Sequence, residues 1–182
     1  MRIHTSALVA SLFGALTLSA CSPAQNWRDV AFEGSALKAQ LPCKPDRTIR
    51  SVPLGGVPVD LQVVGCESGT AMVAVMSAVL PVGADASAVM AAWQKATLDN
   101  ARVARPLLDK EIQLWHRPGQ LPLTGSVRIQ AKGLRPDGEA IAMEAAWGAV
   151  AEGDRVRLVH AVLYDRKISP DMANTLFEGL KP

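Results

Sequence analysis

Apolar and polar residues alternate along most of this chain, and the period of the alternation switches twice. In "RTIRSVPLGGVPVDLQVVGC" (47–66), Val59, Leu61 and Val63 alternate with Asp60 and Gln62. A period of two is that of a strand with one buried face. Gly55-Gly56 sits midway and predicts a hairpin, because glycine reaches the positive φ angles of a tight turn. A first strand is expected just before, near Ala36–Leu41. "TAMVAVMSAVL" (70–80) carries no charge, which predicts a strand buried on both faces. Met72, Ala74, Met76 and Leu80 would lie on one side and Val73, Val75 and Val79 on the other.

The period then lengthens. In "DASAVMAAWQKATLDNA" the residues Val89, Met90, Trp93, Ala96 and Thr97 share one face at helical spacing, with Asp85 or Ser87 as N-cap. Residues 102–125 hold Pro106, Pro118 and Pro122, and predict loop with one strand near 111–115. Alternation returns at Val127, Ile129 and Ala131 against Arg128, Gln130 and Lys132, a strand with one wet face. "RPDG" (135–138) and "EGD" (152–154) are turns. Between them Ile141, Met143, Ala145, Trp147 and Ala149 alternate. After them "RVRLVHAVLY" (155–164) is apolar on both faces and therefore central. The last element is a helix: Ser169 caps it, Pro170 opens it, and Asp171 complements its dipole. Met172, Leu176 and Leu180 form its apolar stripe. The order strands, helix, strands, helix predicts an α+β fold, with a central antiparallel sheet of about six to seven strands flanked by two main helices.

The N-terminus breaks this pattern. Arg2 precedes an apolar run from Ala7 to Leu18, followed by small residues and Cys21. The layout is that of a secretory signal, and the run is too short to span a bilayer. Leu18-Ser19-Ala20-Cys21 resembles the lipobox of bacterial lipoproteins. That resemblance implies a signal peptide over 1–20, cleavage before Cys21, acylation of Cys21, and a lipidated tether over 21–35. A single domain would follow over 36–182. Ser22, where an Asp commonly retains such proteins at the inner membrane, implies passage to the outer membrane, facing the periplasm. The alternative is cleavage after Ser22-Pro23-Ala24, giving a soluble periplasmic protein. Acylation gives a stable anchor without a transmembrane helix, since each buried methylene contributes about 0.8 kcal/mol.

Export changes the reading of the other two of the chain's 3 cysteines. Cys43 and Cys66 flank the predicted hairpin, and an oxidising compartment favours a disulfide between them. It would close a loop of about 24 residues, worth about 3.4 kcal/mol in the chain-entropy model. No histidine lies near either cysteine in sequence, which argues against a metal site.

Charge narrows the function classes. Removing the leader takes Arg2 from the 19 basic residues and none of the 17 acidic ones, leaving a net charge of +1. The basic residues are scattered, so no nucleic-acid-binding face is expected. No nucleophile elbow, zinc-protease motif, phosphate-cradling loop or calcium loop occurs, and no cofactor or metal is implied. Asp137 and Glu139 fall at a turn, which turn chemistry explains. Of the histidines after the leader, His160 lies on the predicted central strand, where a satisfied core position is expected. Trp115, His116 and Arg117 in "LWHRPG" form the candidate ligand contact: an aromatic beside a cation can hold a carboxylate or a sugar face.

The stretches "LPCKPDRTIR", "VVGCESG" and "LVHAVLYD", the last leading to a final helix with Phe177, resemble envelope lipoproteins of proteobacteria. More distantly, with Pro42 and Pro45 at the start of the domain, the pattern resembles the PsbP/Mog1-like fold. The resemblance implies a sheet flanked by helices and carries over no catalytic residue. The expectation is a lipid-anchored binding or assembly module, held to the membrane through Cys21 and paired with an envelope protein. The alternatives are a small-ligand binder working at Trp115–Arg117, or a hydrolase.

Overall fold

The computed structural model describes residues 25–181. The leader and Cys21 lie outside the described residues. The strands are β1 (Arg28–Ala31), β2 (Lys38–Leu41), β3 (Asp46–Leu54), β4 (Val57–Ser68) and β5 (Ala71–Val79), then β6 (Ile112–Leu114), β7 (Val127–Leu134), β8 (Ala140–Glu152) and β9 (Arg155–Asp165). Helix α1 (Ala86–Asn100) follows β5, and α2 (Pro170–Glu178) follows β9. Seven strands form one sheet in the order β3-β4-β5-β9-β8-β7-β6, and every pairing is antiparallel. β1 and β2 form a separate hairpin. The fold is α+β, as the periodicity predicts, and the doubly apolar β9 is the central strand.

Local chemistry accounts for the elements. Leu54 pairs with Val57 across a two-residue turn in which Gly55 and Gly56 have φ of 58° and 82°, angles that cost other residues strain. Asp85 caps α1 by accepting from the Ala88 amide at 3.0 Å. Ser169 caps α2 by accepting from the Met172 amide, with Pro170 at its first position.

The sheet is covered on both faces. On one, α2 and the β1–β2 hairpin pack Phe32, Leu41, Leu176 and Phe177 over Val73, Val75 and Leu163. On the other, α1 lays Val89, Met90 and Trp93 over Met143, Trp147 and Leu158. Each large apolar side chain removed from water contributes roughly 1.5–3 kcal/mol, so the two cores together hold the covers on the sheet. The Cys43–Cys66 disulfide is formed and ties the loop after β2 to β4.

Three expectations are corrected. The tether read over 21–35 is already folded from Arg28, because β1 pairs with β2 and buries Val30 and Phe32; a four-residue strand is too short to announce itself by alternation. β5 is not buried on both faces at its start, where Met72 is 46% exposed. Ala96 is exposed, and the buried stripe of α1 is Val89, Met90, Trp93 and Thr97. The second correction has a dimensional cause. The 15 residues of α1 make a helix about 22 Å long. The 13 residues of β8 run about 43 Å. The helix therefore covers only part of the sheet below it, and the start of β5 lies beyond its end.

The end of α1 is fastened to the sheet. The Leu134 amide donates to the Ala101 carbonyl at 2.9 Å. A Cβ at Gly133 would stand 1.9 Å from that carbonyl oxygen, so only glycine allows this approach.

Candidate functional site

The three residues of "LWHRPG" do not form a ligand platform. Trp115 is 7% exposed and packs edge-on against Phe177, with ring centroids 6.4 Å apart. His116 stands exposed in the loop. Arg117 turns toward α2 and donates through Nη2 to the Glu178 carbonyl at 2.9 Å, where a cation complements the helix C-terminus. Trp115 thus belongs to the core, and its cationic neighbour is engaged as a helix cap. None of the three lines the clefts at the end of the sheet, along β3 or beside α2.

His160 is a core residue, as its position on the central strand predicts. It stacks on Trp147 with centroids 4.5 Å apart and meets the edge of Trp93 at 5.3 Å. Its Nδ1 lies 3.1 Å from the Ala146 carbonyl. A carbonyl only accepts, so Nδ1 carries the proton. Burial pushes the imidazole pKa down to about 4 against the opposing pull of that hydrogen bond. A neutral ring sealed between two indoles cannot exchange protons with a substrate.

The opening with binding geometry lies on the same face, past the end of α1. It is a cleft of ≈ 480 Å³ at the end of the sheet where β4 turns into β5, β7 turns into β8, and β9 ends. Its lining includes Ala71, Met72, Ala101, Leu134, Ile141 and Tyr164, an apolar set. Met72 and Leu134 are the exposed members, at 46% and 42%. Polar groups line it as well. Glu139 receives Arg166 at 2.6 Å. Arg135 lies 4.0 Å from the other Glu139 oxygen, and its buried Nε has no hydrogen-bond partner. Glu67 is exposed at the rim. Burial raises the Tyr164 phenol pKa, with no hydrogen bond contributing. The phenol therefore stays protonated at neutral pH and can donate.

Turn chemistry holds this rim in place, as expected of Asp137 and Glu139. Asp137 accepts from the Glu139 amide at 3.0 Å, and Gly138 has a φ of 89°. Arg102 Nη1 lies 3.4 Å from the carbonyls of Arg135 and Pro136.

Two other clefts carry less. One, of ≈ 390 Å³, runs along the edge strand β3 below Glu33. The second, of ≈ 420 Å³, lies beside α2. Its buried Glu144 is paired with Arg128 at 2.5 Å; Arg128 also donates to Asn174 and stands 4.5 Å above the Phe177 ring. Those charges satisfy one another. Among the described residues no three His, Cys, Asp or Glu side chains gather to hold a metal ion, and no helix is long and apolar enough to cross a membrane.

Sequence reasoning did not find the cleft. Its residues come from four separate stretches that share no motif. The available signal was a mismatch of lengths, a helix of four turns over much longer strands. No protein-family model matches the chain, and no curated protein is similar to it.

Proposed function

We propose that this chain is an exported, lipid-anchored envelope protein that acts by binding. Cleavage before Cys21 would leave acyl chains on that residue, holding the domain at the outer membrane and facing the periplasm, and an envelope partner would engage the anchored domain. The observation that carries the reading is the Cys43–Cys66 bridge. It uses the two cysteines of the folded domain, leaves Cys21 alone at the end of the apolar run, and belongs to an oxidising compartment. The surroundings of the histidines support binding over catalysis: His160 is sealed and His116 is exposed without a partner triad. The order of sheet and final helix is consistent with the likeness to proteobacterial envelope lipoproteins and to the PsbP/Mog1-like fold.

The test is mass spectrometry with membrane fractionation. The mature protein is expected to begin at Cys21 and to carry acyl mass, and the Cys21→Ala variant to lose that mass and leave the membrane fraction. A mature chain beginning at Gln25, recovered without acyl mass from the soluble periplasm, would support the unanchored alternative. An unprocessed chain with free thiols in the cytosol would sink both.

A further inference from the structure

We propose that the cleft past the end of α1 binds a single-chain lipid with an acidic head, of the fatty-acid class, drawn from the membrane that carries the anchor. The source of the ligand rests on the anchored reading above; the binding chemistry does not.

The lining sets the ligand's two halves. Met72, Leu134 and Ile141 offer an apolar wall, and exposed apolar side chains gathered at one opening mark a binding site more often than chance exposure does. Beside that wall stand Arg135, whose buried Nε has no hydrogen-bond partner, and the Tyr164 phenol, both in the lining. A donor left unpaired in a partly buried site costs free energy until an acceptor arrives. A carboxylate accepts from both. Glu139 leaves this role open, since its short contact is with Arg166. Arg135 and Arg166 line the cleft with Glu67 and Glu139, so the acidic side chains there are matched by two cations. The volume of ≈ 480 Å³ lies toward the small end of ligand pockets, suiting one chain.

The Asn26 amide donates to the Pro42 carbonyl at 2.8 Å, next to Cys43. Cys43 is bridged to Cys66, and Cys66 stands two residues before Ser68, which pairs with Ala71 at the cleft. The chain therefore leaves the domain at the end of the sheet where the cleft opens. Asn26 is five positions after Cys21, and an extended chain spans at most about 18 Å over that interval. The segment leaves on the face of α2 and the hairpin, opposite the cleft, so a short tether keeps this end of the sheet near the bilayer and the cleft within reach of its lipid.

The experiment uses the mature protein purified from the envelope and reconstituted in phosphatidylethanolamine–phosphatidylglycerol vesicles. Diazirine-labelled hexadecanoate is the probe, and adducts are mapped by peptide mass. Adducts are expected on the segments 67–72, 134–141 and 164–166. Unlabelled hexadecanoate should compete at least tenfold better than uncharged hexadecanol. Leu134→Glu, on the exposed rim, and Arg135→Gln should each cut the labelling at least fivefold while the disulfide and the melting temperature are kept; Tyr164→Phe should cut it by less. Adducts scattered over the surface, or labelling unchanged in Leu134→Glu, would overturn the proposal. Equal labelling by a photoreactive phosphatidylglycerol would overturn the single-chain assignment. Vesicle flotation reads the anchor separately: a protein that fails to float but still takes the probe in solution refutes the anchor and keeps the cleft.

Discussion

His160 and Tyr164 stand on the same face of β9, four residues apart, in opposite surroundings. His160 lies under α1, clamped between Trp147 and Trp93 and 1% exposed. Tyr164 lies past the last turn of α1 and lines the open cleft. One helix, ending at Asn100, makes the difference. The strand would accept a cover at either place, since both positions are flanked by apolar neighbours. What distinguishes a core from a binding site here is how far the covering element extends.

Trp93→Ala removes the lid over His160 and should cost about 3–5 kcal/mol, read from urea unfolding. A loss under about 1 kcal/mol would mean that α1 does not seal this region. At the same end of the sheet, on the α2 side, the disulfide ties the loop after β2 to β4. Cys43→Ser with Cys66→Ser, or reduction of the native protein, should lower stability by about 3 kcal/mol. For a domain of this size that is roughly 6–12 °C in melting temperature. A melting point indifferent to reductant would remove the staple from the account.

Acid should act on the sealed residue. The folded-state pKa of His160 is depressed from 6.5 to about 4, so between those values the unfolded chain binds a proton that the folded chain refuses. The His160 contribution is fully present above about pH 6.5 and is lost as pH falls toward 4, by on the order of 3 kcal/mol. His160→Gln should flatten that part of the profile relative to the parent protein. A parallel profile in the variant would show that the imidazole titrates normally. Smaller again is Gly133→Ala. The added methyl would meet the Ala101 carbonyl at 1.9 Å and should cost about 1–3 kcal/mol as the end of α1 shifts. An alanine variant as stable as the parent would show that this contact yields freely.

Much of the fold was legible because its signals are local. Gly55-Gly56, the Ser169-Pro170-Asp171 cap and the doubly apolar run 155–164 each depend on neighbouring residues, and each element stands where the pattern put it. The disulfide followed from cysteine count and compartment. What was illegible depends on elements distant in sequence. Met72 sits in an uncharged run, and only the length of α1 decides that it meets solvent. Trp115 read as an exposed aromatic beside a cation until Phe177, from the far end of the chain, covered it. β1 is silent in the sequence because Val30 and Phe32 find their burial against α2 and β2, not within their own segment.

The glycine notch at position 133 has a lasting consequence for the opening beside it. Because the helix end is spliced to the sheet through main-chain atoms, Leu134 amide to Ala101 carbonyl, one side of the aperture is fixed by backbone. Substitutions at Met72 or Ile141 on the walls can suit a different guest while that side of the doorway keeps its place.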